Sequence, residues 1–370
     1  MSKGALLLLV LILLIVSCIM AEPALSSTNL AENSWTPKTS MPTAGSGYGI
    51  GAAVVNGKIY VIGNDTHYEY DPATDAWSSK KPMPTPRYSC AIAACQNKIY
   101  VIGGVTYLNP NTGISTNCPL NEVYDPATDT WETKEPMPTA RSQMEANTVN
   151  GKIYVIGGRT GGMYTTVAFN EVYDLANNSW TRKAPIPYPV VLYASAVVNN
   201  KIYVIGGQDE FDSSMNLDTN QIYDPETDTW SMGKSAPVIV WQATAGATTG
   251  IMAPKRIYVM GGIEGIAAPL NQNLVYDPAA DVWSSGASMP FPRTGFTIAA
   301  VNDLLYAIGG NNGWTISYSE NQQYIPFGYG TIPPEPEPEP FPTALVVTAS
   351  GASATVVGIG LLVYFRKRKR

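Results

Sequence analysis

Histidine is almost absent from this 370-residue chain, which holds one, His67, against 29 acidic and 23 basic residues. A single imidazole cannot build a two-histidine metal site, and no Ser-His-Asp set, Cys-His metal cluster or phosphate-cradling loop is present. No cofactor is expected. His67 follows Gly63-Asn64 and reads as a solvated loop residue rather than a catalytic base. Charge is sparse too, at 14% of residues. Setting aside Lys3, five basic residues at the C-terminus and three glutamates near it leaves 17 basic against 26 acidic residues, a formal charge of −9 that excludes nucleic acid as a partner. Beyond Cys18 there are three cysteines, an odd number. Cys90 and Cys95 fall on opposite faces of one strand and should not pair with each other; they read as small core residues, or one of them joins Cys118 in a loop disulfide.

Helical periodicity is also missing from the body of the chain, whereas 33 Gly and 29 Pro indicate many short segments joined by turns. One short segment recurs. KIYVIGG appears at residues 98–104, 152–158 and 201–207, as KIYVIGN at 58–64, as RIYVMGG at 256–262 and as LLYAIGG at 304–310. Between copies runs a second signature, apolar-Tyr-Asp-Pro-x-x-(Asp/Asn)-x-Trp or close to it, ending at Trp77, Trp131, Trp180, Trp230 and Trp283; the sixth copy stops at QQYIP. IYVI is short, apolar and β-branched, as a strand buried on both faces must be. The paired glycines after it carry no Cβ, so a neighbouring backbone can approach closely. Runs of small residues upstream, such as SCAIAAC (residues 89–95), suit an innermost strand where sheets crowd around an axis. Asp-Pro places proline at the second position of a type I turn, with the aspartate accepting main-chain hydrogen bonds.

A diglycine after an apolar strand, then Tyr, then Trp, at this period, resembles the kelch repeat over residues 32–326. The resemblance implies an all-β, six-bladed β-propeller, each repeat being one four-stranded blade. A first Trp, Trp35, precedes every KIYVIGG, and the last repeat lacks its Trp strand. The two defects cancel if an N-terminal strand bearing Trp35 completes the sixth blade beside Tyr324. The propeller is expected over residues 29–327.

The chain ends have a different character. Residues 1–21 read as a signal peptide, with Lys3 ahead of an apolar core; Ile15-Val16-Ser17-Cys18 also resembles a lipobox. Residues 328–343 form a Pro/Glu-rich spacer. The uncharged residues 344–365, about 33 Å as a helix, are expected to be a single C-terminal transmembrane helix, with the basic residues 366–370 cytoplasmic and the propeller outside the cell membrane. Asn64 and Asn177 head glycosylation sequons.

Function is expected on one face of the propeller, where the loops at residues 105–120, 159–169, 208–219 and 263–272 are long. Thirteen residues before the Tyr of the strand motif stand Arg87, Arg141 and Arg293, near Tyr48, Tyr88, Trp241 and Gln242. Two readings are open. The guanidiniums ring the channel mouth and hold an acidic or sugar-like ligand, or they bond carbonyls inside the blades. Glu145 is the one carboxylate placed near the channel, as an acid or base or as a partner of Arg141. The acidic loop with Asp209, Glu210, Asp212 and Asp218 reads as solvated; Arg159, Glu264, Asn311 and Trp314 are loop contacts. The leading expectation is a non-enzymatic, surface-displayed module that binds an extracellular glycan or protein. The alternative is a carbohydrate-active enzyme resembling sialic-acid mutarotase, a six-bladed kelch ring; a copper-dependent galactose oxidase site would need two His.

Overall fold

The computed structural model describes residues 31–44, 49–109, 114–161, 165–209, 217–264, 268–313 and 316–331. The signal peptide, the spacer beyond residue 331, the membrane span, the basic tail, Tyr48, Glu210, Asp212 and Trp314 lie outside them. Among the described residues there is no α-helix.

Six antiparallel sheets follow one another along the chain, each built on the same four-strand plan. The innermost strands are Gly51–Val55, Ala91–Cys95, Glu145–Val149, Ala194–Val198, Trp241–Ala247 and Thr297–Val301. They are rich in Ala, Gly, Ser and Thr because six strands converge on one axis. Each KIYVI copy forms the second strand, and its last four residues are buried. Left-handed pairs such as Asn56-Gly57, Asn150-Gly151 and Asn199-Asn200 join first strand to second. Such residues give the turn a twist matching that of the strands.

In blades two to five the second glycine of the pair donates its N–H to the next blade, as Gly207 does to the Val240 carbonyl at 2.7 Å. A Cβ on the preceding Gly206 would lie 2.1 Å from that same oxygen, which no side chain tolerates. The diglycine is thus where one blade's backbone rests on its neighbour.

The Tyr-Asp-Pro-Trp signature ties the outer strands together, and its second acidic or amide residue is central. In the first five blades the Tyr hydroxyl donates to Asp75, Asp129, Asn178, Asp228 or Asp281 at 2.6–2.7 Å. That oxygen also accepts a main-chain N–H from the linker leaving the previous blade, while the Trp indole donates to the carbonyl of the same linker residue. Asp129 and Trp131, for example, grip Lys81 at 3.0 and 2.9 Å. Each of these Asp or Asn residues adopts φ near +50°, a left-handed conformation that Asp and Asn tolerate best among residues with a Cβ.

The ring closes in the same way. Residues Ser34–Lys38 pair with Asn321–Ile325, Trp35 opposite Tyr324. Asn33, at φ +52°, accepts from the Tyr324 hydroxyl at 2.7 Å and from the Ala287 N–H at 2.5 Å, and Trp35 donates to the Ala287 carbonyl. The N-terminal strand therefore supplies every group that the sixth repeat lacks.

His67 departs from expectation. It lies on strand His67–Asp71, 4% exposed, packed edge-on against Tyr124 at 4.4 Å between the first two blades. The position belongs to asparagine in the other blades (Asn121, Asn170, Asn220, Asn273, Asn321), where Asn121, Asn170 and Asn273 donate to a linker carbonyl. His67 does the same through Nδ1, to Lys81 at 2.6 Å. Burial lowers its pKa below 6.5. Cys90, Cys95 and Cys118 are free thiols.

Candidate functional site

The three arginines face away from the channel. Arg87, Arg141 and Arg293 are each 0% exposed. Arg87 donates to the Gly103 and Val101 carbonyls and to Glu122. Arg141 donates to the Val155 carbonyl at 3.0 Å and to the buried Glu171 at 2.8 Å. Its partner is Glu171, not Glu145. Arg293 reaches the Gly309 carbonyl at 3.2 Å and stacks near Phe291 and Phe296; where Glu122 and Glu171 stand in blades two and three, the sixth blade has Gln322. Its Nε and Nη2 find no hydrogen-bond partner, and burial lowers its pKa to about 10. Inside a blade a guanidinium satisfies carbonyls left over at the strand ends, so the sequence position that suggests a funnel of cations belongs to internal clasps.

The other proposed residues divide. Tyr88 and Trp241 are half-buried; Tyr88 pairs its main chain with Val105 and does not line the cavity, and the Trp241 indole N–H is buried without a partner. Glu145 and Gln242 do line it. The mouth of the channel opens into a cavity of about 310 Å³ bounded by residues of all six blades. Its size is at the low end for small-molecule sites.

Two tiers of side chains form the wall. The upper tier is Gly49, Ser89, Gln143, Leu192, Gln242 and Gly295, all with positive φ. Main-chain bonds run from blade to blade around it, Gln143 N–H to Ser89, Leu192 to Gln143 and Gln242 to Leu192, at 2.8–3.2 Å. A left-handed residue at each of these positions turns the chain from the linker into the inner strand. The lower tier is the row of residues opposite Ile62, Ile102, Ile156, Ile205, Met260 and Ile308: Gly51, Glu145, Thr244 and Thr297, which line the cavity, and Ala91 and Ala194, which are buried. Five are small, and the sixth is a carboxylate.

Glu145 is exposed to the channel, and its carboxylate has no hydrogen bond or ion pair among the described residues. The blade ends around it keep bulk water away, and this desolvation raises its pKa to about 7. The Glu145 N–H is fixed by the Tyr193 hydroxyl at 3.0 Å, itself bonded to the Ile156 carbonyl at 2.6 Å. Two residues away, the buried amide oxygen of Gln143 also lacks a partner. Deeper in the wall, Asn147 and Ser195 bond each other across blades three and four at 3.0 Å. The arrangement offers hydrogen-bond acceptors and one carboxyl able to hold or release a proton near neutrality, with no cationic group among the described residues of the cavity wall. Ser89, Gln143, Asn147 and Ser195 were not foreseen from sequence. The signal was there in the break of pattern at Glu145, one acid where every other repeat carries Gly, Ala or Thr.

The chain matches the family model described as the KLHDC2/KLHL20/DRC7 Kelch-repeats domain, over residues 49–232 and 115–310. Kelch-like protein 35 of Mus musculus is 27% identical over 285 residues, 75% of this chain and 37% of that protein. Kelch repeat and BTB domain-containing protein 12 of Homo sapiens is 32% identical over 126 residues, 28% of this chain and 20% of that protein. Beta-scruin of Limulus polyphemus is 34% identical over 140 residues, 35% and 15% respectively. The chain thus spans well under half the length of these relatives. The solved structure of YjhT aligns with a TM-score of 0.67 at 17% identity, covering 77% of this chain and 95% of YjhT, a likeness of fold alone. With its repeats matched over residues 49–310, its six blades and its ring closure all in place, the chain belongs to the kelch-repeat family.

Proposed function

We propose that this propeller is a non-enzymatic binding module that takes a ligand at the mouth of its central channel. The observation that carries the reading is the mouth itself: polar side chains from separate blades converge on one cavity around a single unpaired carboxylate. Among the described residues of that wall, no nucleophile is paired with a base. A protein ligand is favoured, with an extracellular glycan as the other class to test. Display on the cell membrane, with the propeller outside, rests on residues 1–21 and 344–370 of the sequence. Full-length chain in nanodiscs, screened on peptide and glycan arrays, should give hits that Gln143→Ala and Gln242→Ala weaken. Hits that ignore every substitution at the mouth would place binding elsewhere.

A second reading is supported by one feature. A carboxyl near 7 suits general acid–base work on a sugar. Its test is anomer exchange of free sugars followed by NMR; acceleration abolished in Glu145→Gln would establish an enzyme, and rates equal to buffer would remove that reading.

A further inference from the structure

We infer that the channel mouth receives one basic side chain, a lysine or an arginine, of a protein ligand, with Glu145 as its counter-charge and the Gln143 amide oxygen as a second acceptor. The inference rests on the binding reading above and names the group that enters. In the row of Glu145, Gly51, Thr244 and Thr297 line the cavity from three other blades, and Ala91 and Ala194 are buried in the remaining two. Small residues thus leave room on the axis, and the third blade alone, among the described residues, projects an acid into it.

Within the cavity, the one charged group and the one buried polar atom left unpaired among the described residues are both acceptors. The Glu145 carboxylate has no partner among the described residues, and the Gln143 oxygen is buried without one. Both accept hydrogen bonds, so the missing component is a donor. The three arginines that were the obvious internal donors are turned into their blades, two of them against Glu122 and Glu171. An ammonium or guanidinium entering the mouth would supply donors and charge together, in a setting where charge-assisted hydrogen bonds are short and strong. It would also stabilise the ionised form of Glu145, which desolvation inside the channel disfavours. The available volume, about 310 Å³, suits one extended side chain rather than a folded segment. The acidic propeller draws basic ligands toward this opening. The same wall disfavours acidic sugars such as sialic acid, whose carboxylate would meet Glu145 with no facing cation.

The test uses full-length chain in nanodiscs and four probes: N-acetyl-lysine methylamide, N-acetyl-arginine methylamide, their neutral analogue N-acetyl-norleucine methylamide, and N-acetylneuraminic acid. Calorimetry should show binding of one or both basic probes, at least tenfold weaker in Glu145→Gln and weakened by Gln143→Ala. Affinity should rise between pH 6 and 8 in the wild type and stay flat in Glu145→Gln. Carboxyl NMR should show the Glu145 midpoint falling when the basic probe saturates the site, a readout that does not depend on any variant folding. Equal binding of the norleucine probe, preference for N-acetylneuraminic acid, or an unmoved Glu145 midpoint would overturn the inference. An array ligand that needs Gln242 but ignores Glu145→Gln would leave the binding module standing and remove only the basic side chain.

Discussion

Removing half of the Arg141–Glu171 clasp tests the placement of the arginines most directly. Both side chains are 0% exposed, and Glu171 also accepts from Thr139 Oγ1 at 2.9 Å and Arg182 Nε at 3.2 Å. Glu171→Gln keeps the shape and deletes the charge, leaving a buried guanidinium uncompensated; such a change costs about 3–5 kcal/mol. Arg141→Val leaves the carboxylate its contacts with Arg182 and Thr139 and should cost less, about 1–3 kcal/mol. The fourth blade already carries the double replacement, Val190 with Gln221, and there the Gln221 amide bonds the Tyr188 N–H and carbonyl at 2.8 and 3.0 Å. The double variant R141V/E171Q should therefore recover much of the loss, with a coupling energy of about 2 kcal/mol or more. Urea unfolding followed by tryptophan fluorescence measures all three. Additive, small losses would refute the internal clasp; so would a stable R141V variant that has lost ligand binding, which would return Arg141 to the mouth.

Three further predictions concern closure, acid and the sixth blade. Asn33→Ala deprives the Tyr324 hydroxyl and the Ala287 N–H of their acceptor and should cost about 2–4 kcal/mol, close to the effect of Asp129→Ala in an interior blade; a silent Asn33→Ala beside a damaging Asp129→Ala in thermal melts would mean that the N-terminal strand does not close the ring. His67 has a folded pKa below its ordinary 6.5, so the unfolded chain binds the proton first. Its contribution is complete above pH 6.5 and is lost as pH falls below that value. His67→Asn, the residue of the other blades, should flatten the slope of stability between pH 7 and 5, and an unchanged slope would show that His67 is not its source. Gln322→Glu supplies Arg293 with the carboxylate that Glu122 and Glu171 give in blades two and three, and should raise stability by about 1–3 kcal/mol; a lower melting temperature would mean that the aromatic cage of Phe291 and Phe296 already satisfies the charge.

Local sequence carried the fold because every blade repeats the same local solution. Diglycine, Asp-Pro turn and Tyr-Trp pair each have a geometric requirement that those residues meet, and the missing Trp of the last repeat points to Trp35. The site was less legible. His67 looked like a loop residue because its neighbours are polar, yet register places it in the asparagine ladder. Arg87, Arg141 and Arg293 sit near the channel in sequence, but their side chains run back along the blade. Thr139, Arg182 and Glu171, which decide where Arg141 points, come from three different segments.

What the sequence alone determined is the repeated unit, the count of six and the way the ends meet, since these depend on backbone conformation and on contacts between adjacent segments. What only the tertiary structure decided is which polar groups are left over. Glu145 is unpaired because the other five blades, each distant along the chain, put small residues in its row, and the arginines of blades two, three and six are buried inside their blades. Whether a side chain is satisfied depends on all of its neighbours at once, and those neighbours are set by the closed ring, not by any one repeat.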